Sequence, residues 1–211
     1  MSTTDQGLEQ EMAPPPRDEA ESPGGRGLWF AVLVPSLAGI VFTSIQIMER
    51  IQIVERPDTV LSCDINATIS CSGVLSAWQS SVLGPPNALI GAIMFAFLAS
   101  AGLAGVLATR PSRAYLAVTW FLGVFFLCFA SWFMYQTAFN IGLLCLWCTG
   151  IVTSVVVICA GLTRLAHRER VLGDNAFGRA LDTAVRYRFD LALWVGWWLV
   201  IAELLWLGLN P

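Results

Sequence analysis

Between Ala114 and Thr163 the chain runs for fifty residues without a charged side chain. As one straight helix that run would be about 75 Å long, more than twice the ~30 Å hydrocarbon core of a bilayer. It therefore reads as two membrane spans joined by a tight turn. The turn is best placed at Phe139-Asn140-Ile141-Gly142, where Asn140 suits the N-cap of the second helix. Uncharged apolar blocks at 28–48, 86–109 and 191–202, the last running past Glu203 to Leu209, supply the other spans. Five spans are expected, near 28–48, 87–109, 114–138, 141–163 and 191–209. Only 13% of the residues are charged, about half the usual share, which excludes a water-soluble globule. The expected fold class is an all-α integral membrane protein.

Residues 1–27 hold six acids, two arginines and a Pro14-Pro15-Pro16 run without apolar periodicity, so they read as a disordered tail. The 28–48 block is too long for the core of a signal peptide and lacks a small-residue cleavage site. It reads as a first span, with Pro35 as a possible kink. With the N-terminus inside, ten arginines fall in cytoplasmic segments, and only Arg50 and Arg56 fall outside. A bacterial plasma membrane protein of this topology exposes the loop 49–86, the turn before the fourth span and the C-terminus on the extracytoplasmic side. Within that loop, residues 73–84 are expected to form a short half-helix, with Val74, Leu75, Trp78, Val82 and Leu83 on one face, lying on the bilayer surface. The basic residues form no nucleic-acid footprint.

The topology sorts the six cysteines. Cys63 and Cys71 lie in the outer loop, and Cys145 and Cys148 lie near the outer end of the fourth span, all on the oxidising side. Cys128 and Cys159 sit deeper and read as packing residues. In Cys145-Leu146-Trp147-Cys148 the two thiols are three residues apart on one helix face, where the helix N-terminus favours a thiolate. Zinc is disfavoured, because the single histidine, His167, is on the opposite side. Alone, each pair could be a structural bridge. Two pairs at one membrane face suggest a relay, in which thiol–disulfide exchange carries electrons from a mobile pair to a fixed one. A pair just inside the bilayer can then meet a lipid-soluble acceptor such as a quinone.

Cys63-Asp64, Ser70-Cys71, Val74-Leu75-Ser76, Gly84, Pro86-Asn87 and Gly91, followed by Cys145 and Cys148, resemble the vitamin K epoxide reductase family over about residues 30–165. The resemblance implies a four-helix bundle around a quinone site, here with a fifth transmembrane helix. It also implies that Cys63 and Cys71 exchange with an exported thioredoxin-fold protein, that Cys71 bonds transiently to Cys145, and that Cys148 faces the quinone. Asn87 would hydrogen-bond a quinone carbonyl or, alternatively, cap the second span; Ser76 and Trp78 would help close the pocket.

The expected function is thus a membrane thiol:quinone oxidoreductase driving disulfide formation. The acceptor would be a menaquinone or ubiquinone type, with no metal, and the thiol partner a separate polypeptide. Two rivals are a quinone-epoxide reductase and a non-catalytic scaffold with structural disulfides. Animal members of the family carry a tyrosine one turn after the second cysteine pair, and Val152 stands there instead.

Overall fold

Inside hydrocarbon a backbone must satisfy its own N–H and C=O groups, so apolar spans become helices. In this computed structural model residues 23–107, 111–173 and 176–209 are described. Apart from one isolated bridge, their regular structure is helical. Five helices are long and apolar enough to cross a membrane: α1 (Pro23–Glu55), α3 (Asn87–Val106), α4 (Arg113–Gln136), α5 (Leu146–Arg168) and α7 (Phe189–Leu209). A short α2 (Cys71–Ser76) lies in the loop after α1, and α6 (Ala176–Arg186) joins α5 to α7.

Three departures from the sequence expectation bear on the architecture. First, α1 starts at Pro23 and ends at Glu55, beyond the expected 28–48 at both ends. Proline is accepted in the first helical turn, and helix formers continue until Pro57, which disfavours helix at Arg56 before it. The rest of the expected disordered tail lies outside the described residues, as do positions 108 and 109 of the second expected span.

Second, α5 begins at Leu146, five residues later than expected. Here α4 runs on through a π-helical turn, Thr137–Ile141, and stops at Gly142, whose φ of 71° is left-handed. Asn140 caps nothing; its Nδ2 donates to Gln136 Oε1 at 2.6 Å. Third, α6 was not foreseen, although Leu181, Ala184 and Val185 give it a half-buried stripe among exposed positions.

Packing explains the order of the bundle. α1 lies against α3 and α5, and α4 lies against α5. α5 is the most buried span and α7 the least. Close approach of α1 and α3 depends on small residues: a Cβ on Gly102 would lie 2.8 Å from the backbone nitrogen of Leu33. Phe95 of α3 and Phe126 of α4 meet edge to face with centroids 5.1 Å apart. Buried hydroxyls bond within the protein, as where Thr43 Oγ1 donates to Gly39 O at 2.8 Å and Trp120 Nε1 to Thr163 Oγ1 at 3.1 Å. α7 is attached from outside by Trp197 Nε1 to Ser131 Oγ and Trp198 Nε1 to Thr153 Oγ1, both 3.1 Å. Its start is pinned by Asp190, which is buried and accepts from Arg164 Nε at 2.6 Å.

Candidate functional site: four sulfurs between a loop and a cavity

The loop between α1 and α2 has almost no regular structure, so side chains must hold its shape. Asp64 does most of this. One carboxylate oxygen accepts from Leu61 N at 2.9 Å, and the other from Ser70 Oγ at 2.9 Å and Ser72 N at 3.0 Å. Partial burial pushes the Asp64 carboxyl up, but hydrogen bonds from Ser72, Leu61 and Ser70 outweigh it and hold it below the ordinary 3.8. Asn66 Oδ1 accepts from Thr68 N and Ile69 N at 2.9 and 2.8 Å, closing the turn. Ser70 caps α2 by accepting from Gly73 N. Cys63 and Cys71 are joined by a disulfide with their Cα atoms 5.5 Å apart, and both are buried.

The half-helix expected at 73–84 is instead α2 followed by a 3₁₀ turn, Trp78–Ser81. The residue between them, Ala77, is extended with ψ 146°. That break disrupts the helical period assumed for the apolar face. Val74 and Leu75 are buried, whereas Trp78 and Leu83 are 69% and 62% exposed.

The segment preceding the second cysteine pair docks on the loop. Leu144 N donates to Thr68 O at 2.8 Å and Ser70 N donates to Leu144 O at 3.0 Å, a parallel bridge between Ile69 and Leu144. Cys71 and Cys145 follow the bridged residues closely in both strands. Their Sγ atoms are 3.3 Å apart. Cys145 is the N-cap of α5, its sulfur accepting from Cys148 N at 3.4 Å. Cys145 and Cys148 carry free thiols.

Above these thiols lies Gln46 of α1, which is buried. Its Nε2 is 3.0 Å from Cys148 Sγ and 3.6 Å from Cys145 Sγ. Because an amide N–H can only donate, this contact favours a thiolate over a thiol. Gln46 was not singled out from the sequence. The available signal was one long polar side chain inside an apolar span, which is costly unless it is used.

A cavity of about 650 Å³, counting its open mouth, adjoins Cys148 but not Cys145. Phe126, Phe129, Phe133 and Val152 give it an apolar wall, and Gln46, Arg50, Ser80 and Asn87 supply polar groups. Arg50 Nη1 donates to Leu75 O at 2.9 Å. Asn87 is the first residue of α3, following Pro86 at the cap position, so it does not cap the span by its side chain. Its Nδ2 donates to Gln79 O at 2.7 Å, and its Oδ1 is buried without a partner among the described residues. A polar atom left this way commonly awaits a ligand or water. Ser76 and Trp78 are exposed and do not line the cavity; Leu75 and Ser80 occupy that rim.

Cys63, Cys71 and Cys145 together form a cluster with all three sulfurs within 4.8 Å of one another. Two of them are bonded to each other, and a metal takes thiolates. In this oxidation state the cluster is suited to exchange. Remote from it, Cys159 is buried while Cys128 is exposed on the outside of α4.

The family model described as the vitamin K epoxide reductase family matches residues 30–163, about two thirds of the chain. The chain belongs to this family. No curated protein matches it. The match begins within α1 and ends within α5, so it contains all four sulfurs, the loop and the cavity. Membership in the vitamin K epoxide reductase family and the clustered cysteines make this a multi-pass membrane protein of oxidoreductase type. Enzymes of the family generally use quinones and are associated with thioredoxin-like partners.

Proposed function

We propose that the protein is a thiol:quinone oxidoreductase that reoxidises an exported thioredoxin-fold dithiol protein and so drives disulfide formation. The observation that carries this reading is the division of labour within the second pair. Cys145 touches the loop disulfide at 3.3 Å, while Cys148 lines the cavity. Electrons entering at the loop have one short sulfur path to a site that could hold an apolar ring.

The cavity fits a quinone through its aromatic wall, the unpartnered Asn87 Oδ1 and the adjacent Cys148 thiol. When bound, a quinone supplies a sink for two electrons and two protons. The protein's residues do the rest. A partner dithiol reduces Cys63–Cys71, leaving two thiols in the loop and a disulfide on the partner. Cys71 thiolate then attacks Cys145 of an oxidised Cys145–Cys148 pair, and Cys148 leaves as a thiolate facing Gln46. Cys63 next attacks Cys71, restoring the loop disulfide and freeing Cys145. Re-forming Cys145–Cys148 releases two electrons and two protons into the cavity.

The arginine asymmetry supports an extracytoplasmic loop in a bacterial plasma membrane, with residues 28–209 as one transmembrane domain. Epoxide reduction finds less support, because Val152 on the cavity wall offers no hydroxyl. The test uses Cys148→Ser carrying the loop disulfide, with a mass-spectrometric disulfide map and a separate assay of quinone reduction by a dithiol. Cys145 is expected to attack the loop disulfide at Cys71 and release Cys63, giving a Cys71–Cys145 cross-link with no quinone reduction. Sustained quinone reduction by that variant would overturn the proposal.

A further inference from the structure

The relay leaves unused a buried carboxyl group that lies beside both cysteine pairs. Glu49, near the loop end of α1, is 5% exposed. Its Oε1 accepts from Ser62 Oγ at 2.6 Å and from Trp147 Nε1 at 3.2 Å. Its Oε2 is buried with no partner among the described residues. Keeping such a group away from water is unfavourable unless its contacts serve a purpose. The two partners indicate which. Ser62 immediately precedes Cys63, and Trp147 lies between Cys145 and Cys148. One oxygen atom therefore ties the loop pair to the helix pair, from a third element that belongs to neither.

We propose that Glu49 is the positioning residue that latches the loop disulfide onto Cys145. The inference rests on the relay described above and adds a device that controls it. The backbone bridge at Leu144 sets the register of loop against helix, and Glu49 holds the Cys63 end of the loop, which that bridge does not reach. The latch also separates the two halves of the cycle. With the loop docked, Cys63 and Cys71 are 2% and 0% exposed, closed to a protein partner. Ser62 is exposed at the rim, so its bond to Glu49 is the contact that water can replace first. Undocking breaks it and presents the disulfide; docking remakes it and returns Cys71 to Cys145.

The test measures docking directly, without quinone. In a Cys63→Ala/Cys148→Ala background only Cys71 and Cys145 remain at the site, and their disulfide is equilibrated against glutathione. The effective concentration of that bond reports how well the loop is held. Glu49→Ala is expected to lower it about tenfold, the loss of two ordinary hydrogen bonds at a partly wet site. Glu49→Gln, which keeps an acceptor oxygen for Ser62 and Trp147, is expected to restore most of the loss. Ser62→Ala alone, a change outside the helices, should reproduce part of the defect and add nothing to Glu49→Ala. An unchanged value in Glu49→Ala and Ser62→Ala would overturn the latch, and so would losses that simply add or a Gln variant as poor as Ala. Failure of Cys71 and Cys145 to pair with Glu49 intact would instead sink the relay, and the latch with it.

Discussion

Gln46 offers the sharpest test of how the inner thiols are activated. Its amide nitrogen is 3.0 Å from Cys148 Sγ and 3.6 Å from Cys145 Sγ. Leucine at this position nearly conserves volume, so the perturbation is loss of a donor and not a cavity. A hydrogen bond to a charged group contributes about 1.5–3 kcal/mol, and each 1.36 kcal/mol is tenfold in rate. If Cys148 reacts as a thiolate held by this amide, Gln46→Leu slows its oxidation by about 10- to 100-fold. The assay is a single turnover: the variant is reduced at all four cysteines, freed of reductant and mixed with a short-chain quinone, and free thiols are counted against time. Exchange between the loop disulfide and a small external dithiol serves as the control and should change little, because Gln46 touches neither loop cysteine. Oxidation of the inner pair within threefold of the parent rate would refute the argument and leave Gln46 as a packing residue.

Other consequences follow from separate parts of the structure. Asn87→Ala removes the unpartnered amide oxygen from the cavity and the bond to Gln79; quinone KM should rise about tenfold, while exchange between the cysteine pairs proceeds. The Asp64 anchor carries a pH signature. Its carboxyl sits below 3.8 in the folded loop, so its stabilisation is fully present above that value and is lost as pH falls through the depressed one. The protection factors for amide exchange at Leu61 and Ser72, taken relative to the unstructured rate at each pH, should therefore be equal at pH 5 and 8 and fall only in stronger acid. Asp64→Asn, which turns an acceptor into a donor facing an N–H, should lose about 1–3 kcal/mol of that protection at pH 5 and above, with the difference from the parent shrinking in stronger acid. Gly102→Ala places a Cβ 2.8 Å from Leu33 N; a loss of about 1–3 kcal/mol should appear as a lower unfolding midpoint in detergent.

The spans were readable because the penalty for a charge in hydrocarbon acts residue by residue, and an uncharged run of fifty residues leaves few choices. The two cysteine pairs were readable for a similar reason, since topology assigns each to a side. Boundaries were harder. The start of α5 moved from 141 to 146 because Gly142 ends the preceding helix in a left-handed turn and Leu144 then pairs with the loop. A composition window registers neither event. Trp78, Val82 and Leu83 are exposed while Val74 and Leu75 are buried, because Ala77 interrupts the helix, so the face drawn through them at constant period does not exist. Gln46 and Glu49 looked like an ordinary polar residue and the end of a span.

Hydropathy and charge placement by themselves determined that this chain has five helices long and apolar enough to cross a membrane, and cysteine spacing singled out the two pairs, because each depends on local properties along the sequence. Tertiary structure decided which sulfur faces which neighbour. Cys145 meets Cys71 across 74 positions, and Gln46 reaches Cys148 across 102. Contacts of that range are set by how α1, α5 and the loop pack in three dimensions. No periodicity in the sequence encodes a packing distance.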